Sequence, residues 1–284
     1  MKLLRYGAPG AEKPGLLDAA GHIRNLSALV NDIDGDSLSP ESLVQLRAID
    51  PESLPLVEGS PRLGACIARP GKFVAIGLNY SDHAAEANLP APESPVVFYK
   101  TDTCMCGPDD DVIQPRGSTR LDWEVEIAIV IGSKAQYLDE AAAAGAIAGY
   151  CIVNDVSERE FQIDLGGSQW SKGKGCDTFG PTGPWLVTAD AIDDVQNLGM
   201  WLDVNGERRQ TGNTGNMIFG CAYLVSYLSQ FMTLMPGDII TTGTPPGVAL
   251  GFDDPPWLKP GDVMNLGIEG LGEQRQTVVT WPGV

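Results

Sequence analysis

The stretch Asp122-Trp123-Glu124-Val125-Glu126-Ile127-Ala128-Ile129-Val130-Ile131-Gly132 constrains the fold more than any other. Its Val and Ile side chains are stiff at χ1 and favour a pleated strand. Side chains at i and i+2 of a strand point the same way. Glu124 and Glu126 are therefore expected on one face, with Val125 and Ile127 on the other. Two adjacent carboxylates repel, and one stays protonated unless a cation relieves them. Taken alone, the pair suits a solvated edge strand at least as well as a binding site, because half-exposed strands often alternate polar and apolar residues. A third carboxylate alters that balance. Asp155 follows the apolar run Ile147–Asn154, at the end of a second expected strand. Three carboxylates converging there would suit a hard divalent cation such as magnesium or manganese, with open positions for water and substrate.

Elsewhere, short β-branched runs alternate with turns rich in Gly and Pro. Strands are expected at Met1–Arg5, Gly15–Asp18, Phe73–Gly77, Val96–Lys100, Pro184–Thr188, Met200–Val204 and Asp238–Thr242, with His22–Leu29 able to extend a small sheet. Helices are expected at Ser39–Ala48, Leu138–Ala146 and Cys221–Phe231, with a helical turn at His83–Asn88 and a weak helical pattern over Arg159–Trp170. Ser39-Pro40-Glu41 is an N-cap signal for the first helix. The Pro-rich stretch from Pro51 to Pro70 reads as a linker. The expected organisation is a small N-terminal domain over residues 1–65 and a mixed α/β, mostly β domain over residues 66–284.

The formal net charge of −18 repels phosphate backbones and anionic lipid, so nucleic acid and membrane surfaces are not expected partners. An acidic substrate would need positive charge placed locally in the site. The opening MKLLRYGAPG has no long apolar core, and no apolar run approaches ~18 residues, so neither a signal peptide nor a membrane span is expected. The six cysteines are mostly isolated, and Cys104-x-Cys106 has no second pair, which suits reduced thiols better than zinc.

Three further groupings carry chemistry. His83 and Glu86 lie three apart, one helical face, where a carboxylate could orient an imidazole as a general base. His22 has no comparable partner and is expected to be structural or exposed. Lys172 and Lys174 sit between glycines that permit close approach of a ligand, although the spacing is not a P-loop. Thr241-Thr242-Gly243-Thr244-Pro245-Pro246-Gly247-Val248 ends a strand with small residues able to offer N–H groups and a hydroxyl to a carboxylate. Each grouping alone also fits an ordinary solvated turn.

Taken in order, these pieces resemble the fumarylacetoacetate hydrolase family over roughly residues 70–282: Gly77-Leu78-Asn79-Tyr80 with His83 and Glu86, then WEVEIAIVIG, NDVSERE, the Lys174 loop and TTGTPPGV. The opening and closing segments are similar to a bacterial subgroup described as 2,4-diketo-3-deoxy-L-fuconate hydrolases or ureidoglycolate lyases. The resemblance implies a β-roll with a pseudo-barrel core, a cytoplasmic catabolic enzyme and a homodimer. It implies Glu124, Glu126 and Asp155 as ligands of magnesium or manganese, with calcium as a substitute in crystals. It implies a catalytic dyad of His83 and Glu86, a catalytic Lys174, and substrate contacts from Tyr80, Arg159, Gln162 and Thr244. The implied substrate is a small anionic 2-oxo or diketo acid. The implied reaction is attack of activated water on a 1,3-diketo acid, C–C cleavage and enolate stabilisation. Decarboxylation or keto–enol isomerisation on the same metal is the alternative, and a catalytically silent binding protein is a third reading.

Overall fold

The computed structural model describes residues 1–82, 92–167 and 169–283. Strands β1 (Lys2–Tyr6), β2 (Lys13–Leu17) and β3 (Ile23–Asn25) precede helix α1 (Pro40–Arg47). β4 (Phe73–Gly77), β5 (Val96–Lys100), β6 (Met105–Cys106), β7 (Val112–Gln114) and β8 (Leu121–Asp122) follow. β9 (Val125–Ile131) and β10 (Ile147–Asn154) flank α2 (Glu140–Gly145). β11 (Ser157–Glu158) leads into a π-helical turn at Glu160–Asp164 and the short helix α3 (Ser171–Lys174). β12 (Gly180–Thr188), β13 (Gly199–Val204) and β14 (Glu207–Asn213) precede α4 (Cys221–Ser229), and β15 (Ile239–Thr241), β16 (Val263–Ile268) and β17 (Gly272–Thr280) come last.

The ten-stranded mixed sheet runs β3-β2-β1-β12-β10-β9-β15-β4-β5, with β6 added parallel to β12. A five-stranded sheet runs β14-β13-β16-β17-β7, and β8 pairs with β11. Mostly β mixed sheets with few helices are the architecture expected, and among the described residues both large sheets are open, with no closed barrel. β9 lies between β10 and β15, and all seven of its residues are buried. The edge-strand reading of Glu124 and Glu126 is thereby overturned: a strand buried on both faces reads as a continuous apolar run. β10 is likewise buried along its whole length. The five-stranded sheet touches β9, β10 and β12, while α2 and α4 pack on each other and add Ala143, Leu224 and Leu228 to the core. Among the described residues no helix is long and apolar enough to cross a membrane.

Local signals explain several boundaries. Ser39 caps α1 by accepting from the Ser42 N–H, with Pro40 in the first turn. Phe73–Gly77, Val96–Lys100 and Ile147–Asn154 are strands as the sequence predicts. The stretch 51–70 is not a free linker: Leu63 bridges to Tyr6, and Cys66 and Ile67 are fully buried. Strands β14, β16 and β17 fall outside the expected set. Their inward positions include Gln210, Gln274 and Gln276, all buried, so apolar alternation is interrupted by amides.

Those amides join the two sheets. Gln274 on β17 donates through Nε2 to the carbonyls of Ile152 on β10 and Gly183 on β12, each at 3.0 Å. Replacing Gln274 with Leu removes the donors and leaves buried carbonyls without partners. We predict that Gln274→Leu lowers unfolding free energy by about 2–5 kcal/mol, read from urea denaturation. An unchanged midpoint would mean that the amide does not join the sheets.

Candidate active site

The β9–β10 pairing creates the site. These strands are antiparallel, with Glu126 opposite Val153 and Val125 opposite Asn154. The start of β9 therefore lies beside the end of β10. The Asp155 N–H donates to the Glu124 carbonyl at 2.9 Å, which fixes the two chain ends together. The carboxylates of Glu124, Glu126 and Asp155 converge, each offering an oxygen within 4.8 Å of the others. All three are buried.

Three cations surround them. Lys174 Nζ donates to Glu124 Oε2 at 2.7 Å and to Asp155 Oδ2 at 2.9 Å. Arg159 donates from Nη2 to Glu124 Oε1 at 2.6 Å, from Nε to Asp122 Oδ2 at 2.8 Å and from Nη1 to Gln162 Oε1 at 2.9 Å. Lys100 Nζ donates to Asp155 Oδ1 and to the Lys174 carbonyl. Glu126 has a weaker escort: the Gly243 N–H donates to its Oε2 at 2.9 Å. Gly243 has φ +92°, where a side chain is strained, and a Cβ there would meet Asn79 Cβ at 2.9 Å. Glycine is what lets this N–H face the carboxylate.

The electrostatics follow from these contacts. Burial pushes the Glu124 carboxyl up, but Lys174 and Arg159 outweigh it and hold the pKa down at about 2. Glu126 moves the other way. Burial raises its pKa well above the ordinary value, and the charges of Asp155 and Glu124 raise it further. For Lys100, burial favours the neutral amine, yet the Asp155 carboxylate prevails and the pKa ends above its usual value. A buried carboxylate disfavoured by two like charges, with all-oxygen donors converging, fits a hard divalent cation.

The site opens into a cavity of about 510 Å³ lined by Glu124, Glu126, Arg159, Gln162, Lys174 and Thr244, among others. Lys174 does not project from a glycine loop; it ends α3 and is almost wholly buried. The Thr244 hydroxyl donates to the Val125 carbonyl at 3.0 Å and accepts from Gln210 Nε2 at 2.8 Å. Tyr80 lies in the core instead of on the cavity wall, its hydroxyl donating to Met200 Sδ at 3.2 Å. His83 and Glu86 lie outside the described residues. His22 is exposed beside Asp18, and all six cysteines are free thiols.

Sequence reasoning missed Lys100 and Asp122. Lys100 could have been found from strand alternation: Phe98 and Lys100 share the buried face of β5 while Val97 and Tyr99 are exposed. Asp122 accepts from the N–H groups of Trp123, Ala249 and Leu250 as well as from Arg159, so it anchors the 249–250 turn to the site. No local spacing signals that role.

A family model described as fumarylacetoacetate (FAA) hydrolase, C-terminal, matches residues 72–279. A Burkholderia multivorans protein named a hydrolase, with no substrate given, is 61% identical over 277 residues, covering 97% of this chain and 98% of its own. The solved fumarylacetoacetate hydrolase of the psychrophile Exiguobacterium antarcticum superposes with a TM-score of 0.87 at 34% identity, covering 99% of this chain and 100% of that one. Maleylpyruvate hydrolase from Sphingobium sp. SYK-6, solved in complex with manganese(II) and pyruvate, superposes with a TM-score of 0.82 at 27% identity, covering 99% of each chain. The extent of these matches establishes that the chain is an enzyme belonging to the fumarylacetoacetate hydrolase family.

Proposed function

We propose that the enzyme hydrolyses a C–C bond in a small 2,4-dioxo acid, with magnesium or manganese held by Glu124, Glu126 and Asp155. The observation that carries this reading is the convergence of three buried carboxylates, with burial and its two neighbours raising the pKa of Glu126. Support also comes from the pyruvate in the maleylpyruvate hydrolase structure, since pyruvate is the product expected from the 2-oxo end of such a substrate. When bound, the cation supplies Lewis-acid polarisation of the substrate's 2-oxo acid end.

The protein's own groups do the rest. Arg159 fixes Glu124 and orients the Gln162 amide, whose nitrogen can then donate to the substrate carboxylate. Thr244 holds the wall of the cavity through Val125 and Gln210 and presents its edge to the substrate. Tyr80 anchors the chain just before the segment carrying His83 and Glu86. His83 takes a proton from water, and Glu86 orients the imidazole. The water oxygen bonds to C4 of the substrate. The C3–C4 bond then breaks, its electron pair stays with C3, and the proton that His83 took from water arrives there, directly or by way of Lys174, which His83 reprotonates. One water is consumed, and the products are pyruvate and a second carboxylic acid.

Lys174 is suited to the oxyanion and proton work because it is buried and already positioned by two carboxylates. A substrate panel separates this reaction from others on the same groups. Hydrolysis releases two acids, decarboxylation releases carbon dioxide, and isomerisation gives a product of unchanged mass.

Glu124→Gln and Asp155→Asn should each weaken Mn²⁺ binding at least tenfold in calorimetry while the fold survives in circular dichroism, because a neutral amide keeps the shape but removes charge from a hard-cation site. Chelation should abolish turnover of the parent enzyme. Parental Mn²⁺ affinity in both variants would remove the triad as the metal site.

His83→Ala should reduce hydrolysis of a 2,4-dioxo acid by roughly 10²–10⁴-fold with metal affinity unchanged. Glu86→Gln should also slow it, and the double variant should be about as slow as His83→Ala alone and well short of the sum of the two free-energy effects, since the pair acts as one unit. Steady-state kinetics of the three variants checks this. Unchanged hydrolysis in His83→Ala would take the dyad out of the mechanism.

A further inference from the structure

The charged groups occupy the buried floor of the cavity, and its mouth has a different character. Leu78, Ile163, Trp170, Val248, Leu250 and Phe252 line the cavity as well. Ile163 is 51% exposed, Leu250 45% and Phe252 38%. Single exposed apolar side chains are ordinary on a protein surface, but three gathered with an indole around one cavity form a binding patch. They come from separate parts of the chain: the π-helical turn, the residue before α3, and the turn after β15.

Two of the rings are held in place. The Trp170 ring lies 5.4 Å from that of Phe98, at 57°. Its other support is Gly77, where an added Cβ would come within 2.3 Å of Trp170 Cζ3, so a larger residue would displace the indole. Phe252 lies under the Arg209 guanidinium, 5.7 Å from the ring centroid. That guanidinium is itself paired with Glu207 at 2.8 Å.

Charge at the mouth points the same way. Among the described lining residues the cations are Arg159 and Lys174, both engaged with floor carboxylates, and the exposed charge nearest Phe252 in the lining is the acidic Asp253. With a cation holding all four acids ionised, Asp122, Glu124, Glu126 and Asp155 on the floor exceed Lys100, Arg159 and Lys174 by one negative charge. A divalent cation and one substrate carboxylate bring that set to neutrality. A second substrate carboxylate would meet, at Phe252, an Arg209 guanidinium already paired with Glu207, and no free cation among the described lining residues. A polyhydroxylated tail would leave hydroxyls without partners against the apolar wall.

We propose that the substrate is a 2,4-dioxo monocarboxylate whose acyl end is an alkyl or aryl group, seated on this apolar mouth. This rests on the reading of the floor as a 2-oxo acid site. The second product would then be an apolar carboxylic acid, and the sugar-acid substrates of the subgroup that the chain termini resemble would be poor ligands.

The test uses binding, independent of turnover. Calorimetry on the Mn²⁺-loaded enzyme compares pyruvate, 2-oxo-4-phenylbutanoate and 2-oxoglutarate, which share the 2-oxo acid end and differ in the tail. The phenyl compound should bind at least about tenfold more tightly than 2-oxoglutarate, the scale on which an apolar pocket discriminates. Leu250→Ser and Phe252→Ser, both at exposed positions, should narrow that ratio and leave pyruvate affinity unchanged. Equal or tighter binding of 2-oxoglutarate while pyruvate still binds overturns the inference alone. So does a ratio untouched by both substitutions. Failure of all three acids to bind overturns the proposed function, and this inference with it.

Discussion

The structure depends on a buried network in which acids outnumber bases. Asp122, Glu124, Glu126 and Asp155 meet Lys100, Arg159 and Lys174 where β9 and β10 end together. Removing one partner of a buried pair costs about 3–5 kcal/mol, because the other charge is left without compensation. Each member therefore holds its neighbours in place. Asp122 is well supplied with donors, Glu124 takes Arg159 and Lys174, and Asp155 takes both lysines. The cost of ionisation falls on Glu126, which has one backbone N–H and two like-charged neighbours. The network thus concentrates its electrostatic cost on a single side chain at the floor of the cavity.

Backbone geometry makes that concentration possible. β9 is central and flanked on both sides, so its register cannot slip without moving buried side chains. The loop after β15 is tied down by Asn79, whose Nδ2 donates to the carbonyls of Thr242 and Phe219 and whose Oδ1 accepts from the Phe219 N–H. Asn79 thereby sets the position of Gly243, and Gly243 aims its N–H at Glu126. Asp122 performs the same service on the other side by holding Ala249 and Leu250. Strands and these tethering hydrogen bonds place the floor. The mouth is built on the turns that these bonds tether.

The sequence made some of this readable and hid the rest, for physical reasons. The run from Val125 to Ile131 announces a buried strand, and period-two geometry predicts that Glu124 and Glu126 point together. Their meeting with Asp155 was an expectation of spacing, and only the β10 register brings it about. Lys174 was legible as a residue type, but its burial at the end of α3 was not, because a lysine between glycines looks solvated. Strands β14 and β17 escaped because Gln210, Gln274 and Gln276 face inward. A buried amide satisfied by backbone carbonyls contributes to the fold as a donor, and hydropathy counts it as surface. Lys100 escaped for the related reason that a charged residue ending an apolar strand is read as its solvent cap.

These features divide the site between two kinds of structure. The carboxylates of Glu124, Glu126 and Asp155 stand where the central strands β9 and β10 end together, and burial there strengthens every charge interaction. The apolar residues lining the cavity stand on turns: Ile163 on the π-helical turn, Trp170 ahead of α3, Leu250 and Phe252 beyond β15. A substitution on the floor disturbs a coupled charge network and is felt by all of its members. A substitution at the mouth changes a local contact with solvent beside it and leaves the network intact. One scaffold of this kind can therefore keep its bond-breaking groups constant while different turn residues admit different acyl ends, which is why membership of the family identifies the chemistry more securely than it identifies the substrate.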